Sequence, residues 1–177
     1  MKLTRENLRK TKAKQIEDVI LFVVNEQRFA IAANTVDEIR NLDGLTPLPP
    51  ALRHSRLAKV NSTLVRGSKD PDKVYFVVDA ATHFGLTPAE PARVLVLRDA
   101  PVALLVSNID RMTQISTVVA LPMAFSGNER EWYRGLALLG EQVVPLVSPE
   151  AFLNKGEQAV LKASWKGLAA AKGAVSA

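Results

Sequence analysis

Apolar residues in this chain come in short runs separated by polar turns, and three times the runs are paired. Val19 to Val24 and Phe29 to Ala33 flank Asn25-Glu26-Gln27-Arg28; Val94 to Leu97 and Val102 to Val106 flank Arg98-Asp99-Ala100-Pro101. Leu136 to Leu139 and Val143 to Val147 flank Gly140-Glu141-Gln142. Runs rich in β-branched residues, broken by three or four polar or turn-forming positions, predict β-hairpins. Further strands are predicted at Leu57 to Val65, Val74 to Val78 and Met112 to Val118. Many short strands with turn signals about every ten residues point to a mostly β chain built as barrels or a sandwich. Pro145, which offers no N–H to a neighbour, is expected at an edge or a bulge.

Predicted helices are few. Thr35 to Leu42 carries a capping-box pair, Thr35 and Glu38, with Val36 and Ile39 three apart on one face and Leu42 a turn on. Asp43-Gly44 would end that helix, and Pro47, Pro49 and Pro50 force an extended path after it. Asp79 to Phe84 and Pro149 to Asn154 read as further short helices. No helix longer than about four turns is expected between Asp18 and Asn154. A C-terminal helix places Leu161, Trp165 and Leu168 on one face, flanked by Lys155, Lys162 and Lys166. Its expected role is to dock on the body through Trp165, with a partner groove or an anionic membrane surface as alternatives. Gly167 and Gly173 weaken it.

Charge alters how the basic balance is read. The chain has 177 residues and a net charge of +5. Residues 1 to 15 hold Lys2, Arg5, Arg9, Lys10, Lys12 and Lys14 against Glu6, and residues 154 to 177 hold four lysines against Glu157. The body between them is mildly acidic. A nucleic-acid reader needs its cations on a folded surface with stacking aromatics, so no nucleic-acid role is expected. The organisation expected is a basic, mobile arm over 1–17, a body over 18–154 and a basic, weakly amphipathic tail over 155–177. The apolar runs are far shorter than the roughly 20 residues of a spanning helix, and the N-terminus has no apolar core of a signal peptide. A cytoplasmic protein that is not integral to the membrane is expected. The sequence contains no cysteine, so it has no disulfide, thiolate metal site or thiol nucleophile.

Candidate catalytic chemistry is sparse. No G-x-G-x-x-G, Walker-type loop, G-x-S-x-G or H-E-x-x-H occurs in the sequence. His54 and His83 are the only histidines, and a zinc site needs more ligands than two. His83 is expected at a helix end, where the dipole suits it, and His54 in solvent. The carboxylates suggest no acid/base dyad. No enzyme, cofactor or metal is expected.

The order of these features resembles the CheW-like domain family of bacterial chemotaxis, over about Asp18 to Asn154. The resemblance rests on the opening VILFVVNEQRFAIAANTVDEI, the LTPLP segment, Arg66-Gly67 before a strand, VVDAATHFGL and the closing VVPLVSPEAFL. It implies two small five-stranded, SH3-like barrels on a shared core. It also implies a non-catalytic adaptor between a CheA-like histidine kinase and the cytoplasmic tip of a chemoreceptor. Glu38 matches the glutamate of the family's V-x-E-I motif and Arg66-Gly67 its arginine-glycine, polar positions tied to receptor coupling. Val36 and Ile39 match neighbouring apolar positions.

Leu45 and Leu48, beside the prolines, are expected to point outward as partner contacts, because a stiff extended backbone has little entropy left to lose on binding. Glu38 and Arg66 are expected to pair. The chain departs from the family pattern at Asn61 and Leu64, at Ser107 or Asn108, and at Ser148. Two alternatives remain at this point: a CheW-like scaffold of another motility or sensory array, or a β-barrel enzyme or ligand carrier. Exposed apolar patches would favour a scaffold and a cleft of convergent ionisable groups an enzyme.

Overall fold

The run Val19 to Val24 is apolar throughout because the strand that contains it is covered on both faces. A computed structural model describes residues 16–65 and 73–175. In it β1 spans Glu17–Val24, and Ile20, Phe22 and Val24 point into one apolar core while Val19 and Leu21 point into another. A strand buried on both sides loses the alternation of a half-exposed one and reads as a continuous apolar block. The other strands are β2 (Gln27–Ala32), β3 (Val36–Arg40), β4 (Leu45–Pro47), β5 (Val60–Val65), β6 (Val74–Asp79), β7 (Arg93–Leu97), β8 (Val102–Val106), β9 (Asn108–Ile115), β10 (Val118–Val119), β11 (Tyr133–Leu139) and β12 (Gln142–Val147). Three helices accompany them: α1 (Ala80–His83), α2 (Glu129–Trp132) and α3 (Lys155–Val175).

The strands form two six-stranded sheets, in the orders β10-β11-β12-β2-β1-β9 and β3-β7-β8-β6-β5-β4. The mostly β fold is as expected, with short β10 and β4 adding a sixth strand to each sheet. The chain starts in the first sheet, builds the second with β3 to β8, and returns. Three cores follow. One lies inside the first sheet (Val19, Leu21, Ala30, Ile115, Ala137, Val144, Leu146) and one inside the second (Leu64, Val77, Val94, Val96, Ala103, Leu105). The third lies between the sheets, where Phe22, Phe29 and Ile31 meet Phe76, Leu95 and Leu104.

All three predicted hairpins form, two with tighter turns than predicted. Val24 pairs with Gln27 and Leu139 with Gln142, leaving two-residue turns at Asn25-Glu26 and Gly140-Glu141. Asn25 and Glu26 both take positive φ, 45° and 68°. That is the sense of turn that matches the right-handed twist of the strands it joins. Pro145 lies opposite Leu136 in an interior strand, β12, so it is not at an edge but stands beside the register shift between Tyr133 and Gly135 of β11. Its other neighbour, β2, meets β12 at a single parallel bridge, Leu146 to Ala30, so few ladder bonds depend on a missing N–H there.

The helix predicted at Thr35 to Leu42 is a strand. Ala33–Thr35 makes one 3-10 turn, Thr35 Oγ1 donates back to the Ala32 carbonyl at 2.7 Å, and β3 follows at once. The spacing misleads for a physical reason. β3 pairs with β7 as Val36 with Leu97, Glu38 with Val96 and Ile39 with Leu95, with a register shift between Val36 and Glu38. A bulge adds one residue and so turns the strand period of two into three at that point. Val36 and Ile39 thereby share the face of Leu97 and Leu95, as they would on a helix.

The reciprocal capping box lies elsewhere. The Asn154 side chain accepts from the Glu157 N–H at 2.8 Å, and Glu157 accepts from the Asn154 N–H at 3.0 Å. Lys59 adds an ion pair to Glu157 at 3.6 Å. Helix α3 runs 21 residues from this cap, with Gly167 facing open space. Leu161 is wholly buried in the shared core, and Trp165 sets its ring perpendicular to Phe76 at 6.4 Å. The helix docks on the body through the predicted face. Between Asp18 and Asn154 the described helices have four residues at most. The mobility expected of the N-terminal arm falls almost wholly on residues outside those described.

Candidate functional site

The segment that singled itself out in the sequence links the two outer strands of the second sheet. After β3, residues 41–44 turn back into β4, and Leu45 N–H donates to the Leu42 carbonyl at 3.3 Å. Gly44 takes φ +83°, and a side chain there would come within 4 Å of both Leu64 on β5 and Arg40 on β3. The turn therefore draws the end of β3 toward β5. Around this closure Ile39, Leu42 and Val65 are 41%, 37% and 45% exposed. Leu45 is half-buried against the inner core of the second sheet, opposite Leu64.

Polar groups frame the same strand. Glu38 and Arg40, two apart on β3, approach to 3.7 Å. Asp37, the residue at the bulge, meets Arg98 at 3.8 Å, and the Arg98 N–H donates to the Thr35 carbonyl at 2.8 Å. The bulge is thus tied to the β7–β8 turn.

Two expectations about this surface need correction. Leu48 does not point outward: it is 1% exposed, packs with Leu52 and Leu57 in the shared core, and its N–H donates to Asn61 O at 3.0 Å. A proline-flanked segment still buries a leucine when the next stretch folds back as 3-10 turns, here at Pro50–Leu52 and Ser55–Leu57. Val36, 7% exposed, is likewise a core residue that supports Ile39 from the same strand. Arg66 and Gly67, and with them the proposed Glu38–Arg66 pair, lie outside the described residues. Leu42, which the spacing places on a helix face, and Val65, at the end of a predicted strand, are exposed.

His83 ends α1 as expected, but its surroundings are apolar. Asp79 caps α1, accepting from Ala81 N at 3.3 Å and from the Thr82 hydroxyl at 2.9 Å. The His83 ring packs against Phe84, Trp132 and Phe152 at centroid distances of 5.0, 5.3 and 4.8 Å. Its Nε2 is buried without a hydrogen-bond partner. Burial foremost, and Lys59 second, lower its pKa from 6.5 to about 3. A neutral, enclosed imidazole acts here as an aromatic packing group. His54 is exposed. Among the described residues no group of three or more His, Asp or Glu side chains is placed to hold a metal ion.

The model of the CheW-like domain family matches residues 18–157. The chain belongs to the CheW-like domain family. The scaffolding protein TtCheW from Thermoanaerobacter tengcongensis has a similar structure, with a TM-score of 0.66 over 80% of this chain and 96% of that one. Sequence identity is 13%, so that likeness speaks for the fold alone. No curated protein matches the chain.

Within this CheW-like fold the departures from the family pattern have structural uses. Ser107 accepts the Asn25 N–H through its hydroxyl at 3.0 Å, and its own N–H donates to Val23 O at 3.0 Å, so it anchors the β1–β2 turn. Leu64 fills the inner core of the second sheet. The Asn61 side chain accepts from the Ser62 hydroxyl at 2.9 Å. Ser148 N–H donates to Trp132 O at 2.7 Å, joining the end of β12 to α2. Among the described residues, no helix is long and apolar enough to cross a membrane.

Proposed function

We propose that this CheW-like chain is a non-catalytic adaptor that couples a CheA-like histidine kinase to the cytoplasmic tips of chemoreceptors. The observation that supports this reading most is the apolar rim of Ile39, Leu42 and Val65, framed by Glu38 and Arg40 at the closure of β3 on β4. Apolar side chains held out by a rigid sheet edge lose little entropy on binding, and charged groups beside them set orientation more than affinity. In this reading Leu45 contributes its half-exposed side, Val36 and Leu48 hold the surface from beneath, and Arg66 and Gly67 are further partner contacts.

The test is binding of the purified chain to a kinase regulatory region and to a receptor tip from its own organism. Replacing Ile39 and Leu42 together by aspartate should weaken one or both interactions at least tenfold while the melting temperature holds. Unchanged affinity for both would remove this rim from the adaptor surface.

A further inference from the structure

A polar cleft of about 420 Å³ opens where the 3-10 turn Ser55–Leu57, α1, α2 and the cap of α3 meet. It shares no residue with the β3–β4 rim and has no part in the adaptor reading. Packing accounts for the ring of His83, which lines this cleft, but not for its Nε2, which is buried without a hydrogen-bond partner. Buried polar atoms nearly always have one.

Among the described lining residues, four side chains carry charge: Arg56, Lys59, Glu131 and Glu157. Lys59 and Glu157 neutralise each other at 3.6 Å beside the α3 cap. That leaves Arg56, from the 3-10 turn, and Glu131, from α2; among the described residues neither side chain has an ion-pair partner. Ser55 and Asn128 add a hydroxyl and an amide to the lining, and the Trp132 indole forms an aromatic wall 5.3 Å from the His83 ring.

One cation and one anion on separate elements, with neutral hydrogen-bonding groups beside them, match a small molecule that itself carries one charge of each sign. A simple anion or cation would meet one attracting and one repelling group. We infer that this cleft is a binding site for a zwitterionic small molecule of the α-amino acid class, with its carboxylate on Arg56 and its ammonium on Glu131. The arginine fork can meet both carboxylate oxygens. Seated there, the molecule would bring a polar group to the imidazole whose Nε2 lacks one, and its side chain would lie against Trp132. An internal peptide segment carries neither terminal charge and is the poorer occupant.

L-Alanine and L-glutamine are the probes, titrated into the full chain and read by calorimetry. At least one should bind saturably, one molecule per chain. The N-acetyl and the carboxamide forms of that amino acid, which lack the ammonium and the carboxylate respectively, should each bind at least tenfold more weakly. Arg56→Gln and Glu131→Gln change exposed side chains, and each should lower affinity at least tenfold with an unchanged circular dichroism spectrum. His83→Phe keeps the ring and removes only its nitrogens, and it should weaken binding as well. The inference is overturned if neither amino acid binds saturably, if the blocked forms bind as well as the free one, or if any of the three variants binds normally.

Discussion

Val36 and Ile39 share one face of a strand although they are three residues apart. The bulge between Val36 and Glu38 inserts the extra residue, and it sets Ile39 at the rim while Val36 stays in the core. Removing the extra residue should therefore do more than shorten a strand. Deletion of Asp37 would restore a period of two and turn every later side chain of β3 to the opposite face. The deletion variant should lose substantial stability in chemical denaturation. A near-native midpoint would show that the register at β3 is soft.

Asn154 and Glu157 should act as one unit at the start of α3. Asn154→Ala should cost about 1 kcal/mol, the usual worth of an N-cap side chain. In the presence of Glu157→Ala, the further loss from Asn154→Ala should be smaller, because the reciprocal bond is already gone. Urea denaturation of the two single variants and the double variant checks this. Additive losses would mean that the two caps work separately.

His83 should make stability depend on pH. The unfolded chain takes up a proton on this imidazole below its ordinary pKa of 6.5, whereas the folded chain resists until about 3. The contribution is therefore complete above about pH 6.5 and is lost progressively as pH falls toward 3. His83→Phe keeps an aromatic ring in the cluster and removes the titrating group. Melting curves between pH 6.5 and 5, above the main carboxylate range, should then lose most of their slope. The same slope in the variant would place its origin elsewhere.

Gly135 is pinned by close approach. A Cβ at this position would lie 2.6 Å from Val119 O and 2.7 Å from Val118 Cγ1, inside contact distance of the neighbouring strand β10. Gly135→Ala should destabilise by about 1–3 kcal/mol, the usual cost of overpacking, and should free the β10 edge. Hydrogen exchange at Leu138, whose N–H donates to Thr117 O, reports that edge directly.

What the sequence made legible was whatever short-range pattern decides. The three hairpins, α1 behind its Asp79 cap and the docked face of α3 all followed from local spacing, and the ordered motifs led to the family. The failures came where a few residues carry two patterns at once. Thr35 and Glu38 have capping-box spacing, yet β7 offers Val36 to Arg40 a full ladder partner, and tertiary pairing overrides a weak local preference. Asn154 and Glu157 have the same spacing, and there no strand competes. Leu48 was misplaced because the prolines fix the local path of the chain, while the fold-back at Pro50–Leu52 and Ser55–Leu57 decides which side is covered. At the β3–β4 closure, Glu38 and Ile39 lie on strand β3 and not on the helix that the spacing suggests. Leu42 and Val65 are exposed as well, one in the turn after β3 and the other at the end of β5.

The most direct test of the adaptor reading is a three-component reconstitution: the CheA-like kinase from the same organism, a receptor cytoplasmic tip in an ordered array, and this chain. Kinase autophosphorylation is followed with and without the chain. The account predicts that receptor-dependent stimulation of the kinase requires the chain, and that Ile39→Asp with Leu42→Asp, folded as the wild type, fails to support it. Receptor control of the kinase that is equally strong without the chain, or equally well supported by the double variant, would contradict it.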